Sequence, residues 1–205
     1  MDLKETYNKI AEEWNLGHRS DDWWQEGTDK FLSLCKPAPS ILDVGCGQGW
    51  KSKYLIKKGI KLLGIDFSEK MIEIARREAP GERFLVINIE DLDNLKESFD
   101  GIYAQAVLLH FHKKEIPEIL DILKRRLNPG GYLYVAVKEL APGGREEEEV
   151  PVPLDKKYRR FFSFFTLEEM EDCFKNAGFE VSYKKVVPGE GVNWIQIIGK
   201  NKGEL

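Results

Sequence analysis

Cysteine is scarce: Cys35, Cys46 and Cys173 are the only three in 205 residues, and no two are close in the chain. An odd, scattered count excludes a disulfide framework and, lacking any paired spacing, a zinc site; no metal is expected. No apolar run is long enough to span a bilayer, so no membrane partner is expected. The opening Met-Asp-Leu-Lys-Glu has no apolar core of a secretory signal, and the expected location is the reducing cytoplasm. Positive charge is not in excess either, since 31 Lys and Arg against 35 Asp and Glu leave a net −4. That balance argues against nucleic acid as a substrate, because phosphate binding needs a basic face. The local exception is Lys156-Lys157-Tyr158-Arg159-Arg160, which follows the acidic run Glu146–Glu149 and is placed to pair with it. No internal repeat occurs. A phosphate-binding Gly-Lys-Ser/Thr ending is also missing.

What the chain does have is 42% hydrophobic residues, enough at this length for one domain with a sizeable core. Its most informative stretch is Ser40-Ile41-Leu42-Asp43-Val44-Gly45-Cys46-Gly47-Gln48-Gly49. An apolar run broken by an acid and followed by three alternating glycines reads as a buried strand entering a tight turn. Glycine there permits positive φ and lets a ligand touch bare backbone. With the helical composition of Lys51–Lys58 after it, this makes the nucleotide-type pocket of an α/β sheet. A dinucleotide fingerprint needs a small residue where Trp50 stands, so that reading fails. A second strand, Lys61–Ile65, ends at Asp66, and a carboxylate at that tip suits the vicinal diol of a ribose. NAD enzymes use the same device, so Asp66 alone does not choose the cofactor. Ser68 is placed to cap a helix over Glu69–Ala79, whose Met71, Ile72 and Ala75 form an apolar stripe. Cys46 reads as a small loop residue, since nothing near it in sequence would activate a thiol.

Five strands alternate with helices: Ser40–Val44, Lys61–Ile65, Arg83–Asn88, Gly101–Gln105 and Tyr132–Lys138. Alternation of that kind means a parallel sheet covered on both faces. One helix starts near Pro117 and runs to Leu127; another opens on the capping box Thr166-Leu167-Glu168-Glu169 and closes at Gly178. Phe179–Val187 and Val192–Gly199 flank Pro188-Gly189-Glu190-Gly191, and strands joined so briefly are antiparallel. The expected fold class is α/β, a Rossmann-like doubly wound sheet of seven strands, mostly parallel with an antiparallel C-terminal hairpin. Ala141–Asp155, rich in Pro, Gly and Glu, reads as a long loop of the kind that forms a lid or stays disordered. Residues 1–36 read as an N-terminal helical cap and 37–205 as the core of the same single domain.

Taken together, several stretches resemble the class I S-adenosylmethionine-dependent methyltransferases, from about Ser40 to Lys200. They are the acid-x-Gly-x-Gly-x-Gly pattern of Asp43–Gly49, the Asp66-Phe67-Ser68 tip, Phe84–Leu92, Phe99–His110 and the Leu127–Leu133 turn. Parts of the second half resemble small prokaryotic members with no single agreed acceptor. The resemblance implies S-adenosyl-L-methionine as cofactor and S-adenosyl-L-homocysteine as product. It places Asp43 and the Gly45, Cys46, Gly47 and Gly49 backbone at the methionine end, and Asp66 with Phe67 at the ribose. Met71, Asn88, Ile89 and Glu90 fall near the adenine; Asn88 stands where the family commonly has aspartate, and Met71 has a core role as its alternative. Ala104 and Gln105 fall beneath the transferred methyl. The cap helix Tyr7–Trp14 closes over the cofactor, with Tyr7 and Trp14 as its aromatic contributions; Trp23 and Trp24 suit either the pocket or the sheet edge. In Phe161-Phe162-Ser163-Phe164-Phe165, alternate members are expected to face the core and the rest the pocket mouth.

A general base is needed only if the acceptor must lose a proton. His110, His112, Glu139 and Tyr7 are the residues to consider. His110, just after strand four, is the one catalytic candidate, with a structural bond to a backbone carbonyl as the alternative that the resemblance favours. His112, among lysines, reads as solvated. No Asn/Asp-Pro-Pro-Tyr/Phe motif is present, which counts against methylation of glutamine or adenine nitrogens. Three readings stay open: a methyltransferase for a small-molecule acceptor, one for tRNA or protein, and a non-catalytic cofactor-binding module acting through a partner. Neither the acceptor nor the oligomeric state is written in the sequence.

Overall fold

Uninterrupted apolar strands need cover on both faces, and that requirement organises the molecule. The computed structural model describes residues 3–17, 22–153 and 155–203, apart from the side chains of 14–17. β1 (Ser40–Val44), β2 (Lys61–Asp66), β3 (Arg83–Val86), β4 (Phe99–Gln105) and β5 (Leu127–Lys138) pair in parallel. β8 (Phe179–Pro188) and β9 (Asn193–Asn201) complete the sheet, whose order is β3-β2-β1-β4-β5-β9-β8. β9 runs antiparallel to both of its neighbours, as the brief Gly189–Gly191 connection requires. The order reverses between β1 and β4, which opens a crevice at the carboxyl ends of those strands.

Side chains alternate across β1, so Leu42 and Val44 enter one core layer and Ile41 the other. α5 (Ile116–Arg125) and α6 (Leu167–Asn176) cover the first face, contributing Leu120, Leu123, Met170 and Phe174. α2 (Gln25–Leu34), α3 (Trp50–Lys57) and α4 (Glu69–Glu78) cover the second through Phe31, Leu55 and Ile72. The caps form as their residues dictate. Ser68 Oγ accepts from Met71 N at 3.1 Å, and the Thr166–Glu169 box is reciprocal. Pro117 lies in the first turn of α5.

Three expectations need correction. The expected Ala141–Asp155 loop contains a strand, β6 (Glu147–Pro151), which pairs antiparallel with β7 (Arg159–Ser163) as a separate ribbon beside the expected seven-stranded sheet, making nine strands among the described residues. Glutamate has a poor strand propensity, which hid β6, but cross-strand and neighbouring cations compensate. Glu149 pairs with Arg159 at 3.0 Å, whereas Glu147 and Glu146 reach His112 and Lys113. Next, β3 stops at Val86, so Asn88 precedes a 3-10 turn over Ile89–Asn94. Last, burial in the aromatic run falls on Phe162, Ser163 and Phe165 and does not alternate: Ser163, small and donating its hydroxyl to the Phe111 carbonyl, is buried beside Phe162, and Phe165 lies beyond the end of β7. Among the described residues no helix is long and apolar enough to cross a membrane, and no cluster of metal-ligating side chains occurs.

Candidate active site

The turn after β1 is forced into the left-handed region at Gly45, Gly47 and Gly49, with φ of 64°, 53° and 82°. At Gly45 a Cβ would lie 2.3 Å from Val107, so glycine is also a packing requirement there. At Gly47 a Cβ would meet nothing within 4 Å, because this backbone faces open space. That space is a cavity of about 1150 Å³ at the carboxyl ends of the strands.

Asp66, at the tip of β2, accepts Gly47 N–H at 3.0 Å on one carboxylate oxygen and Ser68 N–H at 2.8 Å on the other. Each oxygen keeps a lone pair for a ligand. Burial outweighs those two bonds and raises the Asp66 pKa to about 6. Asp43 is raised further, to about 7, also by burial, although Ser52 donates to it at 2.5 Å.

α1 (Leu3–Gly17) lies across α4 and β7. Asn8 accepts from Ser68 Oγ at 2.7 Å, and Thr6 donates to the Arg159 carbonyl at 3.2 Å. Tyr7 thereby comes edge-on to Phe67 and His110, at 5.8 and 5.5 Å between ring centres. His110 makes two 2.8 Å bonds, through Nδ1 to the Phe161 carbonyl and through Nε2 to the Tyr7 hydroxyl. A carbonyl only accepts, so Nδ1 carries the proton and Nε2 takes the Tyr7 O–H. The Arg160 guanidinium acts on the same hydroxyl and holds its pKa down against burial. Burial drives the His110 pKa down to about 4 and the Tyr7 pKa up to about 12. His110 is therefore neutral at physiological pH, with its lone pair already engaged.

Tyr7, Gly45, Cys46, Gly47, Asp66, Phe67, Met71, Asn88, Ile89, Gln105 and His110 all line the cavity. Asp43, Gly49, Glu90 and Ala104 are not on its wall. Asp43 sits behind the turn, held by Ser52, and Gly49 packs on Ala75 of α4. Glu90 is exposed and accepts from Asn88, and its neighbour Asp91 faces the cavity instead. Ala104 is fully buried in β4. The side chain of Trp14 lies outside the described residues. Trp23 lines the cavity, while Trp24 is buried against Tyr54. His112 is half exposed and paired with Glu147, and Glu139 bonds Asn193. Neither is on the wall. Lys138, Arg160, Phe162 and Trp194 are on it and were not singled out as binding residues by local sequence. The available signal was their position at the ends of β5, β7 and β9.

A family model described as a methyltransferase domain matches residues 16–184. A probable S-adenosyl-L-methionine-dependent methyltransferase, TehB, from Haemophilus influenzae is 29% identical over 154 residues, covering 73% of this chain and 48% of that protein. A tRNA U34 carboxymethyltransferase from Hahella chejuensis is 31% identical over 155 residues, covering 73% and 44%. The chain thus spans less than half the length of these two relatives. In fold it is similar to the 1,6-didemethyltoxoflavin-N1-methyltransferase of Burkholderia thailandensis, with a TM-score of 0.78 at 18% identity, covering 97% of this chain and 87% of that one. Glycine turn, strand-tip acid and sheet order agree with these matches, and the chain belongs to the methyltransferase domain family, among the class I S-adenosylmethionine-dependent methyltransferases.

Proposed function

We propose that this chain binds S-adenosylmethionine in the cavity and directs its methyl group to a small-molecule acceptor. The observation that carries this is the pairing of an open, ligand-facing Gly47 backbone with the Asp66 carboxylate, each of whose oxygens retains a free lone pair. Asp66 would take the ribose hydroxyls. Gly45, Cys46 and Gly47 would line the methionine end, and Met71, Asn88, Ile89 and Asp91 the adenine. When bound, the cofactor supplies a methyl group on a sulfonium, so that transfer breaks the S–C bond, forms the bond to the acceptor and leaves a neutral thioether. The chain's own work is to align the acceptor and exclude water, and alignment of this kind supplies on the order of 7–11 kcal/mol.

Tyr7 closes the cofactor side, and His110 holds the Tyr7 hydroxyl in place. With its lone pair committed to Tyr7, His110 acts here as a positioning residue and not as a base. A small acceptor is favoured because α1 roofs the cavity and because the arginines of the basic run are not displayed together as an open basic face. Arg159 is paired with Glu149, and Arg160 turns into the cavity.

The test is calorimetric titration with S-adenosylmethionine, S-adenosylhomocysteine and NAD, on the wild type and an Asp66→Ala variant. Binding of both adenosyl ligands, indifference to NAD and a loss of about 2 kcal/mol or more in the variant are expected, since charged hydrogen bonds are of that size. No adenosyl binding by the wild type would refute the reading.

A further inference from the structure

Resting on that reading of the cavity, we propose that the acceptor is an organic anion, a carboxylate or phosphate on a flat body, whose charged group sits between Lys138 and Arg160.

The two cations come from different strands. Lys138 ends β5, and Arg160 lies on β7 in the ribbon that the sequence did not reveal. They meet because Phe165 N–H donates to the Lys138 carbonyl at 3.1 Å and Leu140 N–H to the Phe165 carbonyl at 2.8 Å, which ties the end of β7 to the end of β5. Both then stand over the Phe162 ring. The Lys138 ammonium is 3.7 Å from its ring centre and the Arg160 guanidinium carbon 5.2 Å. Both side chains line the cavity.

Like charges held together in a half-buried wall repel, and a bound anion would reverse the cost. The repulsion is visible in Lys138, whose pKa falls to about 8 through burial and then through Arg160. The acids nearby do not neutralise Lys138. Glu148 acts on Lys138 only weakly, Glu190 is exposed at the rim, and the Lys138 ammonium forms no ion pair or hydrogen bond with any described residue. Asp66 belongs to the other half of the cavity, on the far side of Tyr7, whose ring meets Phe67 and whose hydroxyl meets His110. A cation–π contact with Phe162 alone would account for one cation, not for a second placed against it.

A flat wall adjoins the pair. Trp194 stands opposite Lys138 in the β5–β9 register, on the same face, and Trp23 stacks on it with ring centres 4.1 Å apart. An aromatic body against Trp194 would put its anionic substituent at Lys138, where charge-assisted hydrogen bonds are strongest.

The experiment uses the full chain saturated with S-adenosylhomocysteine and titrated at fixed ionic strength with benzoate, phenyl phosphate and the neutral benzamide. One anion at least should bind about ten-fold tighter than benzamide, as charge-assisted bonds allow, and the tighter of the two identifies carboxylate or phosphate. Lys138→Met should abolish that preference and leave S-adenosylhomocysteine affinity within about two-fold; Lys138→Gln serves if the methionine variant does not fold, and Arg160→Gln should also lose the preference. Equal binding of benzamide, or a preference that survives Lys138→Met, would overturn the proposal. So would a large fall in S-adenosylhomocysteine affinity in Lys138→Met, which would put the pair on the cofactor's own carboxylate. Failure of the wild type to bind S-adenosylhomocysteine at all would instead bring down the cofactor reading beneath it.

Discussion

Asp66 and His110 are both buried, and burial moves them in opposite directions because it penalises the charged form of each. The Asp66 pKa of about 6 lies above the roughly 3.9 of an unfolded aspartate. The folded protein thus holds a proton that the unfolded chain has released. Its stabilising contribution is full below about pH 4 and is lost as pH rises through about 6; Asp43, at about 7, has the same sign. His110, at about 4 against an unfolded 6.5, has the opposite sign, so its contribution is present above pH 6.5 and lost as pH falls through 4. In thermal melts of the unliganded protein, Asp66→Asn should therefore gain most on the wild type at pH 8 and least at pH 5. A difference between the two that does not change with pH would contradict the assignment. None of these states is legible in the sequence, because a pKa depends on what surrounds the group and not on its neighbours along the chain.

At the scale of elements, α1 is the roof of the site, held by buried contacts of Ala11 and Tyr7 with Met71, Ile74 and His110 and by polar contacts nearer the surface. Lys4–Glu69 and Arg77–Glu12 are exposed pairs of small worth. The more specific attachment is Ser68, which caps α4 and also donates to Asn8 of α1. Thr166 caps α6 in the same manner, and its hydroxyl bonds within its own helix. Ser68→Ala and Thr166→Ala should each cost about 1 kcal/mol in denaturant unfolding, while only Ser68→Ala should weaken S-adenosylhomocysteine binding in calorimetry. Equal affinities in the two variants would detach the roof from ligand binding. Both caps, and the helices they begin, were readable from Ser68 and from Thr166–Glu169 because capping is a contact over three residues. β6 was not, because its three successive glutamates become a strand only when β7 supplies the ladder.

Over the whole molecule, the cavity sits where the sheet order reverses, between the buried strands and the α1 roof. Ligand binding should therefore slow hydrogen exchange in Leu3–Glu13 and leave the buried β1 and β4 unchanged, measured with and without S-adenosylhomocysteine. Uniform slowing, or none, would argue against a moving roof. The sequence by itself determined the strand–turn–helix units, the glycine turn, Asp66 at the tip of β2 and the terminal hairpin. Each of these follows from side-chain period, backbone freedom or loop length, which are properties of a few consecutive residues. Only the tertiary structure decided that Asp43 lies behind the wall, that Asp91 faces the cavity in place of Glu90, that His110 gives its lone pair to Tyr7, and that Lys138 meets Arg160 over Phe162. Those outcomes depend on the direction in which a side chain leaves its element and on which distant strand is brought beside it, and both are fixed only when the sheet and its ribbon pack together.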